Sequence, residues 1–89
     1  MKVEFIKNIQ FSRLLKVNGR LKEFNFRKPN SRESPITVDV IDERANRIIF
    51  HMQKTEDAWR IVPQSLPVWI VQSENAFAEV IEEELRANQ

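Results

Sequence analysis

The chain has 89 residues, of which 42% are hydrophobic, and it contains no Cys, no Tyr, one His and one Gly. This length leaves room for one hydrophobic core, so we expect a single domain over residues 1–89. The absence of Cys excludes disulfides, Cys-ligated zinc and iron–sulfur clusters, and it favours a cytoplasmic location. The longest uninterrupted apolar run, at 68–71, has four residues, which is too short for a membrane-spanning helix.

Charge is distributed unevenly around a formal net value of +1. Residues 1–35 contain nine Lys and Arg against three Glu, whereas residues 73–89 contain one Arg against five Glu. This asymmetry has two physical interpretations. Either the two regions screen each other, within one fold or across a dimer, or the basic region binds an anionic partner.

The first strong pattern lies in residues 5–28. Apolar and polar side chains alternate from Phe5 to Val17, which predicts a long strand with one apolar face. Asn18-Gly19 follows, and this pair predicts a hairpin because a type I′ turn needs positive φ at both central residues. A two-residue turn places Val17 opposite Arg20 and so sets the register of a second strand. The resulting apolar face contains Phe11, Leu15, Val17, Phe24 and Phe26.

A three-strand meander is predicted over residues 36–62. The stretch 28–35 contains two Pro and is expected to be a loop. Alternating apolar residues then predict two strands on either side of a turn at 42–46. A tight turn at 55–57 leads into a last strand, which Pro63 ends. The predicted inward side chains are Ile36, Val38, Val40, Ile48, Phe50, Met52, Trp59 and Ile61.

The C-terminal part contains the one clear helix, over residues 74–87. Ser73 or Asn75 can cap it, and its apolar residues recur at helical spacing at Phe77, Val80, Ile81 and Leu85. Residues 66–71 fit either a strand, which their β-branched content favours, or a short helix beginning near Pro67. We prefer the strand. The predicted fold is therefore α+β: a five- or six-stranded antiparallel sheet, largely a meander and either open or curled, with one C-terminal helix packed on it.

The residue types that perform most catalysis are scarce in this chain. His51 is the single His, and no Cys, Tyr or Gly-rich loop is present to complete a nucleophilic or phosphate-binding site. Three carboxylates, Asp39, Asp42 and Glu43, resemble ligands for a hard cation, but a solvated turn explains them better. We therefore expect no enzyme, no metal, no cofactor and no small-molecule substrate.

The leading functional hypothesis is a non-enzymatic protein-interaction module that self-associates. Ile41 and Ile49 fall on the sheet face opposite the predicted core, and Trp69 stands between two further apolar residues. One short helix does not obviously cover both faces of the sheet. A sheet edge and a second apolar face around Ile41, Ile49 and Trp69 are therefore expected to contact a protein partner or a second copy.

The alternative hypothesis is single-stranded nucleic-acid binding by the basic hairpin 13–28. Aromatic side chains two residues apart on one strand, flanked by cations, are suited to stacking bases and contacting phosphates. The same aromatic side chains also lie on the predicted core face, so burial in the core is the competing interpretation. The residues of this hypothesis are Arg13, Arg20, Lys22, Phe24, Phe26, Arg27 and Lys28.

Overall fold

The computed structural model of the chain describes residues 9–28, 35–56 and 58–87. Five strands form one antiparallel sheet in chain order: β1 (Ile9–Val17), β2 (Arg20–Lys28), β3 (Ile36–Ile41), β4 (Arg47–Thr55) and β5 (Ala58–Ile61). Two helices follow, α1 (Val68–Val71) and α2 (Glu74–Ala87). The sheet is a strongly curled meander and α2 packs on it, which confirms the predicted α+β class. None of the helices within the described residues has the length and apolar character needed to cross a membrane.

The β1–β2 hairpin has the predicted turn and register. Asn18 and Gly19 have φ values of 52° and 78°, the positive pair that a type I′ turn requires. Val17 pairs with Arg20, and the same register continues to the far end of both strands. A Cβ at Gly19 would meet nothing within 4 Å, so the backbone conformation and not crowding favours glycine there. Residues 5–8, which the alternation assigns to the first strand, lie outside the described residues.

An aromatic cluster joins α2 to the inner face of the sheet. The Phe77 ring is fully buried, and its centroid lies 4.9 Å from Phe24 and 5.5 Å from Phe50. Every strand and helix residue that was predicted to face inward belongs to this core or packs against it. The alternation with period two and the helical spacing therefore identified the core correctly.

The turn between β3 and β4 is held by its own side chains. The Asp42 carboxylate accepts hydrogen bonds from the backbone N–H groups of Asn46 at 2.8 Å and Arg44 at 2.9 Å. These bonds, with that from Asn46 the largest contribution, lower the pKa of Asp42 below its ordinary value of 3.8. Asp42 is thus a turn-forming residue, as the solvated-turn interpretation expected.

The prediction of a strand at 66–71 is wrong, because residues 68–71 form α1. The carbonyl of Pro67 accepts hydrogen bonds from Ile70 and Val71, so the segment satisfies its own backbone groups. A strand would need a neighbouring sheet edge, whereas this helical turn places Ile70 in the core and leaves Val68 and Val71 exposed. Tertiary packing of one side chain thus outweighed the β propensity of four residues.

Candidate protein-interaction surface

The sheet has an outer face, on the side opposite α2, that carries exposed aliphatic residues. Side chains alternate along each strand, so the neighbours of core residues point to this face. Four of them leave much of their surface in solvent: Leu14 (62% exposed), Leu21 (69%), Ile41 (50%) and Ile49 (45%). We call these four residues the outer aliphatic group. The sequence-based placement of Ile41 and Ile49 on the second face is therefore confirmed.

The register shows how the outer aliphatic group is arranged. Ile41 pairs with Arg47 and Ile49 pairs with Asp39, so the two isoleucines are diagonal neighbours on β3 and β4. Leu14 and Leu21 are diagonal neighbours in the same way on β1 and β2. Leu21 was not singled out from the sequence, although the hairpin register already placed it on the outer face with Lys16 opposite.

A chain of polar side chains crosses the outer face beside the outer aliphatic group. The Ser12 hydroxyl donates to Asn25 Oδ1 at 2.6 Å, and Asn25 Nδ2 donates to Asp39 Oδ1 at 2.9 Å. Arg47 Nη2 donates to the second Asp39 oxygen at 3.2 Å. These contacts connect four neighbouring strands and satisfy the carboxylate of Asp39, which is only 6% exposed. Hydrogen bonds between neighbouring strands therefore hold the polar side chains of the outer face in defined positions.

Trp69 lies apart from the two isoleucines with which it was grouped. It belongs to α1, is half-buried against the core, and its ring centroid is 6.5 Å from that of Phe24 on the inner side of the sheet. The Lys22 ammonium lies 5.2 Å from the same ring, within range of a cation–π contact. The expectation of one apolar surface containing Ile41, Ile49 and Trp69 is thus corrected, because the helical turn of α1 directs the indole to the core side.

The two phenylalanines of the nucleic-acid hypothesis are fully buried. Phe26 stacks on Phe11 with ring centroids 4.7 Å apart, and Phe24 packs against Phe77. Neither ring therefore presents a face to a base in this fold. The competing interpretation, that the two rings form part of the core, is the one that the structure supports.

The basic residues of the same hypothesis are divided unequally between the two faces of the hairpin. Arg13, Arg20, Lys22 and Lys28 lie on the inner side, whereas Arg27 alternates to the outer face. Arg13 Nη2 lies 3.0 Å from a Glu83 oxygen and 3.4 Å from a Glu84 oxygen, and the hydrogen bond to Glu83 raises the pKa of Arg13. Arg20 forms a 3.4 Å ion pair with Glu43. Lys28 is buried.

The remaining candidate chemical groups are also separated. His51 is exposed on the outer face, where its Nδ1 lies 3.2 Å from the Thr37 hydroxyl. Asp39 is buried in the polar chain, whereas Asp42 lies in the β3–β4 turn. Within residues 9–28, 35–56 and 58–87, no three His, Cys, Asp or Glu side chains are placed to hold a metal ion. Comparison of the chain with protein families, with curated proteins and with solved structures finds no match.

Proposed function

We propose that this chain is a non-enzymatic protein-interaction module that self-associates through the outer face of its sheet. The observation that carries the proposal is the outer aliphatic group, four exposed side chains on one face of four neighbouring strands. Covering these side chains with a second molecule removes apolar surface from water. Each Å² of apolar surface buried contributes about 25 cal/mol to the free energy of association.

The charge of the outer face is compatible with contact between copies. The aliphatic side chains are bordered by cations, Lys16 and Arg47, and by the carboxylate of Glu23. A second copy presents the same mixture, so opposite charges can be placed against each other. The formal net charge of +1 also produces little overall repulsion between copies.

Sedimentation equilibrium over a range of protein concentrations tests the proposal. We expect the weight-average mass of the wild type to rise with concentration. The double substitution Ile41→Thr/Ile49→Thr keeps the β-branched shape and strand propensity but removes apolar surface. We expect it to lower the average mass at each concentration.

A matched control comes from α1. Val68 and Val71 are as exposed as the two isoleucines, at 67% and 52%, but they lie on a helix and not on the outer face. The variant Val68→Thr/Val71→Thr should sediment like the wild type. A wild type that stays monomeric at every concentration contradicts self-association, and equal effects of the two double variants contradict the role of the outer face.

A further inference from the structure

The two edge strands of the sheet differ in how their free backbone groups are covered. β5 has four residues, and Pro63 follows soon after it. The Glu74 carboxylate also accepts a hydrogen bond at 2.8 Å from the Ile61 N–H, a backbone donor on the free side of β5. Short length, a nearby Pro and a bonded donor are features that protect a sheet edge from pairing with another chain.

β1 has none of these protections among the described residues. It is nine residues long, contains no Pro and pairs with β2 without interruption. A two-residue hairpin turn makes Val17 and Arg20 a hydrogen-bonded pair, so the odd-numbered residues of β1 bond to β2. The N–H and C=O groups of residues 10, 12, 14 and 16 therefore point away from the sheet. No backbone hydrogen bond from another described residue reaches them.

The inner side of β1 is also incompletely covered. Ile9, Phe11 and Leu15 face the core side but are only half-buried. The apolar residues on the same side of β2 and β3 are instead buried, namely Phe24, Phe26, Ile36, Val38 and Val40. A further strand placed beside β1 would supply neighbours for these three side chains.

We propose that β1 pairs antiparallel with β1 of a second copy, with Arg13 opposite Arg13 at a two-fold axis. The inference deepens the proposed self-association by adding a second contact to that of the outer face. In this register all nine residues of β1 are paired, and the symmetry makes every pair except that of Arg13 on the axis occur twice. The apolar contacts are Ile9 with Val17 and Phe11 with Leu15, and Ser12 lies opposite Leu14.

The charges at the axis fit this register. Two Arg13 side chains placed opposite each other would repel if they were unpaired. Each of them, however, carries the carboxylates of Glu83 and Glu84 from its own α2 within 3.4 Å. The axis therefore brings together two guanidinium and four carboxylate groups, and each arginine can also contact a glutamate of the other copy.

The dimer would form one continuous sheet of ten strands. Because the axis is perpendicular to the sheet, both copies of α2 lie on one side and both outer faces on the other. Leu14 borders the edge contact, whereas Leu21, Ile41 and Ile49 of both copies stay uncovered by it and can contact further molecules.

Disulfide trapping tests the register directly, since the chain has no Cys. Opposed residues that are not hydrogen-bonded in an antiparallel pair have Cα atoms about 4.5 Å apart, within the range of a disulfide. In glutathione buffer, two Arg13→Cys thiols should therefore form one intermolecular disulfide, with two electrons passing to glutathione disulfide. Lys16→Cys is the control, because this register separates its two thiols by about 20 Å. We expect at least about tenfold more cross-linked dimer for Arg13→Cys, which is roughly the difference made by 1.4 kcal/mol.

A second pair of variants isolates the backbone contact. Leu14→Pro removes an N–H that points away from β2, and Leu14→Thr removes the same leucine but keeps that donor. Both are made in the Ile41→Thr/Ile49→Thr background, so that the outer-face contact contributes little. Loss of two symmetric hydrogen bonds should raise the dimer dissociation constant of Leu14→Pro about tenfold or more above that of Leu14→Thr.

The outcomes separate this inference from the proposed function. Equal cross-linking of Arg13→Cys and Lys16→Cys overturns the register, even if Leu14→Pro fails to fold. A wild type that associates while the Ile41→Thr/Ile49→Thr background is entirely monomeric overturns the edge contact and leaves the proposed function intact. A wild type that is monomeric throughout overturns both.

Discussion

At the scale of single residues, Asp39 shows how a charged side chain is accommodated on a sheet face. Its position on β3 alternates to the outer face, where a carboxylate is normally solvated. Asn25 and Arg47 on the two neighbouring strands instead hold both of its oxygens, and the carboxylate is almost completely covered. A buried charge with such partners is stable only as long as the partners remain.

We expect Asp39→Ala to lower the free energy of unfolding by about 2 kcal/mol, because hydrogen bonds to a charged group are lost. Asp39→Asn retains an oxygen that can accept from Asn25, so its loss should be smaller. Urea unfolding of the wild type and of both variants measures how much each substitution lowers the free energy of unfolding. A loss below about 0.5 kcal/mol for Asp39→Ala, typical of an ordinary surface site, would contradict a structural role of the polar chain.

At the scale of elements, α2 holds the curled sheet together through one aromatic side chain. Phe77 contacts rings from two different hairpins, since Phe24 and Phe26 belong to β2 and Phe50 belongs to β4. The first residue of α2, Glu74, also binds the free backbone donor of β5. The helix therefore performs two tasks: its apolar face closes the core, and its start covers one edge of the sheet.

Phe77→Ala should lower the free energy of unfolding by roughly 3–5 kcal/mol, since it removes a fully buried ring and leaves a cavity. Domains of this kind are stabilised by only about 5–15 kcal/mol, so the variant is expected to be close to unfolding. Phe77→Leu fills part of the same space and should retain more stability. If both variants unfold at the urea concentration of the wild type, α2 does not close the core as described.

At the scale of the whole molecule, the uneven charge of the chain is screened within the fold. Arg13 on β1 meets Glu83 and Glu84, which are about 70 positions later in the sequence. Lys54 on β4 similarly lies 3.1 Å from Glu82. The first of the two interpretations of the charge asymmetry therefore holds for these groups, because the acidic side of α2 lies against basic residues of the sheet.

Arg13→Gln should reduce the free energy of unfolding at low salt by up to about 1 kcal/mol, because the ion pair is partly exposed to solvent. The loss should shrink in about 1 M salt, where the screening length falls to roughly 3 Å. Arg27→Gln serves as the control, since Arg27 forms no ion pair with another described residue. A loss that does not change with salt would indicate that packing of the Arg13 side chain, and not its charge, is important.

The local structure of this chain is predictable where it depends on near neighbours in the sequence. The Asn18-Gly19 turn specifies the register of β1 and β2 residue by residue, and alternation identifies the core face of all five strands. Residues 66–71 differ, because two local signals conflict there. Whether this segment forms a strand or a helix depends on whether it lies beside a sheet edge, with which it could pair, or against the core, into which it can bury a side chain.

Local sequence patterns are therefore sufficient to predict the α+β class, the hairpin and the apolar residues of both sheet faces, because turn chemistry and side-chain alternation act over a few residues. Three other features come from long-range packing: Trp69 turns to the core side, Phe24 and Phe26 are buried beneath α2, and the free edge of β5 is covered. These outcomes depend on contacts between residues that are distant in the chain. Such contacts leave no local pattern, and they appear only when the sheet and α2 are packed together.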